Sequence, residues 1–332
     1  MKRIEFHRFG DPLDELQLAD DDAPAPGAGQ IRVRVEAAPI NPSDLLTVRG
    51  MYGRLPDDLP AVPGNEGVGR VTEVGEGVTE VQVGDLVMLP PGSGTWRSAM
   101  TFDARGAFPL PADVDPLQLS MLYINPMTAE VLLSDMVELR EGDWVVVNAA
   151  NSAVGHYLVS LAHRRGLKTL ALVRRNGGVT HGLKAIGATE VIVDQGQDVP
   201  AEAASLTGGG RVPLGVDAVG GEATAVIAGC LSDGGTVVNY GALADAPCRI
   251  PPQDLVFRDI RLVGFWLSRW AEQTPAEQAQ ARYAKLLEHI RKDQIRAEVA
   301  GTYPLERFRD AVRAAAAGGR DGKILFTPDN PW

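Results

Sequence analysis

A short turn of small residues has the form of a dinucleotide-binding loop. Residues Ala150–Gly155 lie between an apolar run, Trp144–Asn148, and an alanine- and valine-rich segment, Val154–Arg165. Their position and spacing match the Gly-x-Gly-x-x-Gly loop, in which backbone amides at the start of a helix bind a pyrophosphate. Ala150 and Ser152 replace the first two glycines, and a turn used only for packing would look similar. The loop therefore predicts a nucleotide site that depends on its backbone.

The residues after the next apolar run indicate which dinucleotide would bind. NAD enzymes place an aspartate or glutamate about 20 residues past the loop, where it holds the ribose 2′-hydroxyl. Here that point is occupied by Arg174, Arg175 and Asn176. Two guanidinium groups without a carboxylate favour a 2′-phosphate, which arginine can bind with two parallel hydrogen bonds. The alternative is a solvated basic pair at a strand end. The pattern favours NADP(H) over NAD(H).

The segments around this loop predict an α/β domain with a doubly wound parallel sheet. A continuous apolar run such as Trp144–Asn148 is typical of a strand buried on both faces. Similar runs follow at Thr169–Val173, Ile192–Asp194, Gly215–Ala218 and Thr236–Tyr240, with room for a helix between successive runs. Strands and helices that alternate in this way predict a doubly wound sheet over residues 121–262.

The remaining residues predict a second domain that is rich in strands. Ile31–Ala37 alternates apolar and charged residues, which indicates a strand with one exposed face. After residue 262 the chain is expected to return to this domain, with a helix over Pro275–Lys292. The predicted domains are therefore 1–120 with 263–332, and 121–262.

The composition excludes several classes of protein. The 332 residues include 43 acidic and 32 basic side chains, for a net charge of −11, and two cysteines. These numbers argue against a disulfide scaffold, a four-cysteine zinc site and non-specific binding of nucleic acid. No apolar run approaches the roughly 18 residues of a membrane-spanning helix. The first residues, MKRIEFHRFGDP, lack the features of a signal or transit peptide, so a cytoplasmic protein is expected.

Four segments carry a resemblance to a known superfamily. Asn41–Asp44, Arg49–Tyr52, Pro63–Gly69 and Val83–Asp85 resemble, in order and spacing, the medium-chain dehydrogenase/reductase superfamily. The resemblance implies an α/β fold class, with a GroES-like β-barrel catalytic domain built from both chain ends and a doubly wound Rossmann domain that binds NADP(H). Zinc members carry cysteine and histidine ligands in these segments. Ser43 and Asn65 stand in their places here, so no zinc is expected.

Within the superfamily, the chain resembles the mitochondrial-type trans-2-enoyl thioester reductases most. Gly94-Thr95-Trp96, Asn65-Glu66 and Gly264-Phe265-Trp266-Leu267 carry this resemblance. It implies that Tyr52 is the proton donor and that a homodimer pairs along the strand near Arg261–Gly264. The cofactor contacts that it implies are Asn125, Asn151, Ser152, Ala153, Val154, Arg174, Arg175, Asn176, Tyr240, Gly241, Ala242, Leu243, Phe265, Trp266, Leu267 and Lys323. Asn41, Trp96 and Thr128 are candidate contacts to substrate or nicotinamide.

The chemistry implied is the reduction of a conjugated double bond. Hydride from NADPH would add to C3 of an α,β-unsaturated thioester of coenzyme A or acyl carrier protein, and C2 would then need a proton. A phenol, with an ordinary pKa of about 10, is protonated at neutral pH and can supply it. The alternatives are an NADPH:quinone or 2-alkenal reductase, or an NADP-binding protein without catalysis. Tyr52 could also stabilise a turn, and Trp96, Phe265 and Trp266 could be core or interface residues.

Overall fold

The computed structural model describes residues 1–319 and 322–327, which form two compact units. Unit 1 contains Met1–Tyr123 and the described residues from Ala297 onward, and unit 2 contains Ile124–Arg296. Each unit has a hydrophobic core of its own. Among the described residues, no helix combines the length and the apolar composition needed to cross a membrane.

The first part of unit 1 consists mainly of short strands, as predicted. Its elements are β1 (Lys2–Phe6), α1 (Pro12–Glu15), β2 (Leu16–Asp20), β3 (Gln30–Pro39), α2 (Pro42–Val48), β4 (Val68–Val74), β5 (Leu86–Met88), β6 (Ala99–Asp103), β7 (Phe108–Leu110) and α3 (Pro116–Leu119). In β3, Ile31, Val33 and Val35 are buried while Arg34 is exposed. This confirms the prediction of a strand with one exposed face.

Unit 2 alternates helices and strands. Its elements are α4 (Asn125–Ser134), β8 (Trp144–Val147), α5 (Ala153–Arg164), β9 (Lys168–Val173), α6 (Gly178–Ala185), β10 (Glu190–Val193), α7 (Val199–Thr207), β11 (Leu214–Asp217), α8 (Glu222–Cys230), β12 (Thr236–Asn239), α9 (Pro252–Phe257), β13 (Arg261–Gly264), α10 (Leu267–Gln273) and α11 (Ala276–Arg291). The helix predicted at Pro275–Lys292 is confirmed as α11.

The sheet of unit 2 has the topology of a dinucleotide-binding domain. Its strand order is β10-β9-β8-β11-β12-β13, and all pairs are parallel. Counted from β8, this order is 3-2-1-4-5-6, the doubly wound arrangement of the Rossmann fold. The order reverses between β8 and β11, and ligands bind beyond the carboxyl ends of the strands at such a point. This edge of the sheet is therefore the place to look for a nucleotide site.

The chain then returns to unit 1 with β14 (Val299–Tyr303), α12 (Phe308–Ala316) and β15 (Lys323–Phe326). The seven-stranded sheet has the order β14-β15-β3-β4-β5-β7, and β6 also pairs with β3. β15 lies antiparallel to β3, with Leu325 opposite Pro39. Both ends of the chain thus contribute to one sheet, as the resemblance implied.

The predicted return to the first domain at residue 263 is too early by two helices. The helices α10 and α11 belong to unit 2, and the return begins at Ala297. Lys285 of α11 forms an ion pair with the buried Glu130 of α4 at 2.9 Å, and Arg282 donates to Asp135 at 2.8 Å. These charged contacts hold α11 on α4, so the chain leaves unit 2 only after α11 ends.

Candidate cofactor and catalytic sites

The predicted nucleotide loop forms the turn between β8 and α5. Ser152 is the N-cap of α5, and its hydroxyl accepts a hydrogen bond from the Gly155 amide at 3.1 Å. A Cβ atom at position 155 would lie 2.3 Å from the Ala150 carbonyl oxygen, so only glycine fits there. Ala149 has a left-handed backbone (φ 46°). The loop therefore has the close helix–strand approach of a dinucleotide site, with the amide groups of a 12-residue helix directly behind it.

Tyr240 follows β12 and contacts the same loop. Burial raises the pKa of the Tyr240 phenol, while a hydrogen bond with the Ser152 side chain acts in the opposite direction and the charge of Asp217 raises the pKa further. The phenol is therefore neutral at physiological pH. Ser152 and Tyr240 were both predicted as cofactor contacts from separate segments of the sequence, and they contact each other in unit 2.

Arg174, Arg175 and Asn176 are exposed at the carboxyl end of β9, directly beside β8. The amide of Ala150 donates to the carbonyl oxygen of Leu172 at 3.3 Å, which joins the nucleotide loop to the end of β9. The arginines thus lie at the same edge of the sheet as the loop. This position is suitable for binding a phosphate on the adenosine ribose.

The remaining residues of unit 2 that were predicted to contact the cofactor, the nicotinamide or the substrate fall into four groups. Asn151, Ala153 and Val154 belong to the loop and the first turn of α5. Gly241, Ala242 and Leu243 follow β12, and Phe265, Trp266 and Leu267 follow β13, so both groups lie beyond carboxyl ends of the sheet. Asn125 and Thr128 are buried in the first turn of α4. That these residues contact the cofactor stays a prediction.

Asp217, which the sequence analysis did not single out, is completely buried at the end of β11. Its carboxylate accepts hydrogen bonds from Asn148 at 2.6 Å, Thr224 at 2.7 Å and Asn239 at 3.2 Å. Burial raises its pKa, but these bonds and backbone amides outweigh burial and hold the pKa below its usual range. A carboxylate at the end of an otherwise apolar strand was the available sequence signal.

In unit 1, Tyr52 is half-buried in the loop after α2. Burial raises the pKa of Tyr123, and the charges of Glu66 and Tyr52 raise it further while Arg54 lowers it. These effects indicate that a second phenol lies near Tyr52 and near a buried carboxylate. The sequence analysis missed Tyr123 because a tyrosine between apolar residues (Leu122 and Ile124) has no distinguishing pattern.

A buried polar network surrounds the start of α2. The Lys323 ammonium donates to the Asn41 amide oxygen at 2.5 Å and to the Ile40 carbonyl oxygen at 3.1 Å. The Asn41 amide nitrogen in turn donates to Glu66 at 2.8 Å. Asn41 and Lys323 were both predicted as ligand contacts, and the structure brings them together.

Asp44 is the second carboxylate of this network. Its carboxylate accepts from the backbone N–H of Asn41 at 2.7 Å and from the backbone and side-chain nitrogens of Asn65 at 3.0 and 2.5 Å. Burial raises the pKa of Asp44 to about 6, against these hydrogen bonds and the charge of Lys323, which lower it. The network thus contains a carboxylate that titrates at mildly acidic pH.

Trp96 lies in the core of unit 1 with no exposed surface. Its ring packs edge-on against Phe326 with centroids 5.1 Å apart, and its indole nitrogen donates to the Pro39 carbonyl oxygen at 3.4 Å. Because every face of the ring is covered by protein, it offers no surface to substrate or nicotinamide in this conformation. The structure gives Trp96 a packing role.

Comparisons with known proteins agree with both units. Residues 27–112 match the alcohol dehydrogenase GroES-like domain, and residues 153–286 match the zinc-binding dehydrogenase family. The mitochondrial enoyl-acyl-carrier-protein reductase of Bos taurus is 35% identical across 98% of this chain and 88% of its own length. This chain belongs to the enoyl thioester reductase family of medium-chain dehydrogenases/reductases.

Solved structures extend the likeness to quinone reductases. A point variant of Etr1p from Candida tropicalis, in complex with NADP and crotonyl-CoA, superposes with a TM-score of 0.85 at 25% identity over 98% of both chains. Escherichia coli quinone oxidoreductase, in complex with NADPH, gives 0.87 at 26% identity over 99% of this chain and 100% of its own. The GroES-like and Rossmann fold class predicted from sequence is confirmed.

The relatives contradict the expected cytoplasmic location. Similar enoyl-acyl-carrier-protein reductases of Bos taurus, Homo sapiens and Dictyostelium discoideum are mitochondrial proteins. The cytoplasmic prediction depended on the composition of the first residues and on the lack of a long apolar run. That composition does not report where a folded reductase of this family is used, so the prediction was wrong.

The residues at the zinc-ligand positions of this reductase do not suit zinc. Ser43 and Asn65 offer a hydroxyl and an amide, and the Asn65 amide nitrogen is 2.5 Å from Asp44 and 3.4 Å from the Ser43 hydroxyl. Zinc prefers thiolate and imidazole ligands. Within residues 1–319 and 322–327, no three His, Cys, Asp or Glu side chains are grouped so that they could hold a metal ion.

Proposed function

We propose that this protein is an NADPH-dependent reductase of the C2=C3 double bond of trans-2-enoyl thioesters, carried by coenzyme A or acyl carrier protein. The observation that carries the proposal is the 35% identity to a mitochondrial enoyl-acyl-carrier-protein reductase, which extends over 98% of the chain. The dinucleotide loop with Arg174 and Arg175 beside it, and Tyr52 in unit 1, provide the parts that this chemistry needs.

NADPH, when bound, supplies the hydride that adds to C3. The backbone amides at the start of α5 and the Ser152 hydroxyl would hold its pyrophosphate, and Arg174 and Arg175 its 2′-phosphate. Asn125, Tyr240–Leu243, Phe265–Leu267 and Lys323 are the further contacts that we propose. Tyr52 donates the proton that C2 receives, because its phenol is the acid that the family resemblance places at this step.

We propose that the reaction runs without a metal. Conjugation with the thioester carbonyl already activates C3 toward hydride, so a Lewis acid is not required. The hydrogen bonds of Asn65 to Ser43 and Asp44 support this, since the positions of the zinc ligands are engaged in a protein network. The proposal predicts that purified enzyme keeps its activity after dialysis against a strong chelator. A loss that zinc restores would overturn it.

A substrate panel with NADPH tests the function. Crotonyl-CoA, longer 2-enoyl-CoAs, a 2-alkenal and a quinone are compared by kcat/KM, and an enoyl thioester is expected to give the highest value. The second candidate is an NADPH:quinone or 2-alkenal reductase, which the likeness to Escherichia coli quinone oxidoreductase favours. Preference for the quinone or alkenal would select it. NADPH binding without turnover of any compound would indicate a non-catalytic NADP-binding protein.

We propose further that two copies of this chain pair along β13. This strand is the edge of its sheet, and all four of its residues are exposed. Leu262 and Val263 lie on it, and the preceding α9 exposes Val256 and, at 82%, Phe257. An exposed apolar edge strand is a template for pairing with another chain. Among its relatives, Etr1p of Candida tropicalis forms a heterodimer with Etr2p.

Sedimentation tests the pairing. Phe257→Glu combined with Val263→Glu should convert a wild-type dimer to a monomer, because each copy would bury two carboxylates in the interface. Leu206→Glu, at a 39% exposed leucine of α7, is the matched control and should remain a dimer. A double variant that sediments like the wild type would refute this interface.

A further inference from the structure

We infer that Asp217 is a positioning residue for the NADP(H) site, because it holds together the three loops that follow β8, β11 and β12. The inference rests on the proposed function, since it assigns a role to a residue beneath the proposed cofactor site. Asp217 has no place among the family-derived contacts, and its side chain, being completely buried, does not itself reach a ligand.

The two carboxylate oxygens of Asp217 are fully used. Oδ1 accepts from the Asn148 amide nitrogen at 2.6 Å and from the backbone amides of Val219 at 2.8 Å and Gly220 at 3.0 Å. Oδ2 accepts from Thr224 at 2.7 Å and Asn239 at 3.2 Å. Five donors around one buried carboxylate keep it ionised and fixed in orientation.

Asn148 connects Asp217 to the nucleotide loop. Its amide oxygen accepts from the Ala218 backbone amide at 2.8 Å, while its amide nitrogen donates to Asp217. The side chain is therefore held at both ends. The next residue, Ala149, has the left-handed backbone that starts the turn toward Ser152. Asp217 thus sets the point from which the pyrophosphate-binding loop departs.

Asn239 connects Asp217 to the loop after β12. Its amide nitrogen donates to Asp217 and also to the Gly241 carbonyl oxygen at 2.9 Å. Between these residues lies Tyr240, whose phenol hydrogen-bonds the Ser152 side chain. The connection is closed, since Asp217 reaches Ser152 through Asn148 on one side and through Asn239 and Tyr240 on the other.

An asparagine cannot replace this carboxylate. An amide has one acceptor oxygen, and its NH2 group would face either the donors at Oδ1 or the Asn239 amide at Oδ2. Asp217→Asn should therefore leave a buried donor unpaired and loosen one of the loops. The change is small in volume, which favours a folded protein whose loop geometry is altered.

A matched control lies at the other end of the same strands, where the amino ends of the sheet begin. Asp143, just before β8, is also buried and accepts from the Arg140 amide at 2.8 Å and from Arg211 at 2.5 Å. It holds loops at the amino ends of the strands, away from the nucleotide loop. Asp143→Asn should lower the melting temperature without changing the affinity for NADPH.

The experiment measures the Kd of NADPH by titration calorimetry, the melting temperature, and kcat at saturating NADPH for the wild type, Asp217→Asn, Asn148→Ala and Asp143→Asn. We expect Asp217→Asn and Asn148→Ala to weaken NADPH binding about tenfold or more, because each leaves a buried polar group unpaired. Their kcat should fall less than threefold. Asp143→Asn should bind NADPH within about twofold of the wild type.

Two results would overturn the inference. One is an unchanged Kd in Asp217→Asn or, if that variant does not fold, in Asn148→Ala. The other is a weakening in Asp143→Asn that matches the loss in melting temperature, since stability alone would then explain the effect. Wild type that binds NADPH but reduces no enoyl thioester would refute the proposed function and leave this inference standing. Wild type that does not bind NADPH would refute both.

Discussion

Lys323 donates a hydrogen bond to the amide oxygen of Asn41 at 2.5 Å, across 282 residues of sequence. The same amide donates to Glu66, so a cation and a carboxylate fix Asn41 from two sides. An amide held in this way presents one orientation only. Any ligand that reaches Asn41 therefore meets a preformed group, and the loop before α2 depends on the last described strand for its geometry.

Tyr52→Phe is expected to lower kcat with crotonyl-CoA about 100- to 10,000-fold, the range typical of a lost general acid. The Kd of NADPH should not change, because the phenol acts on the substrate. Stopped-flow measurement of NADPH oxidation gives kcat, and fluorescence titration gives Kd. Tyr123→Phe is the matched comparison, and a loss below tenfold is expected for it. A larger loss in Tyr123→Phe than in Tyr52→Phe would transfer the role of proton donor to Tyr123.

Arg174→Ala combined with Arg175→Ala is expected to lower kcat/KM for NADPH about 10- to 100-fold, because hydrogen bonds to a charged phosphate are each worth about 1.5–3 kcal/mol. The value for NADH should stay the same, since NADH has no 2′-phosphate. Arg164→Ala, at the exposed far end of α5, removes a positive charge elsewhere and should leave both values unchanged. A wild type that prefers NADH would contradict the assignment of the strand end.

Asp44 should make the stability of unit 1 depend on pH. Its folded pKa of about 6 lies above the ordinary value of an unfolded aspartate, so the folded state binds more protons between about pH 4 and pH 6. Its contribution to stability is therefore present below pH 4 and is lost as the pH rises through 6. The free energy of unfolding of the wild type minus that of Asp44→Asn should fall by about 2–3 kcal/mol from pH 4 to pH 7. Urea unfolding at several pH values measures it, and a constant difference would show that Asp44 is not the titrating group.

Gly155→Ala is expected to damage both stability and cofactor binding. The added methyl group would lie 2.3 Å from a backbone oxygen, so the helix must move away from the strand. The free energy of unfolding should fall by about 1–3 kcal/mol, as in other overpacked sites, and the Kd of NADPH should rise. Gly182→Ala in α6 is the control, since nothing lies within 4 Å of its Cβ, and it should add about 0.5–1 kcal/mol. Normal stability in Gly155→Ala would mean that the turn can adjust.

The doubly wound sheet could be predicted because its strands are buried on both faces. Such strands must be apolar throughout, and the run Trp144–Asn148 became β8 at Trp144–Val147. Ser152 and Tyr240 also lie where a doubly wound sheet places ligand-binding residues, beyond the carboxyl ends of β8 and β12. The buried strands and the loops at their ends are determined by nearby residues, so local sequence patterns are enough to predict them.

The features that could not be predicted depend on contacts between distant residues. Nothing in the composition of α11 shows that Lys285 pairs with Glu130, 155 residues earlier, and so the return of the chain was placed too early. The donors around Asp217 come from three separate strand ends. The complete burial of Trp96 requires Phe326 from the last strand. Sequence patterns give the faces of elements but not which elements meet.

The assembly of unit 1 from both ends of the chain sets an order of events on the ribosome. Unit 2 lies within residues 124–296 and can fold as soon as it has emerged, since domains fold as units during synthesis. Unit 1 must wait, because β3 lacks β15 and Asn41 lacks Lys323 until the residues of β15 have been translated. In the nascent protein, unit 2 can therefore be folded while the N-terminal part of unit 1 is still incomplete. In that interval the edge of β3 that pairs with β15 in the folded protein has no partner strand.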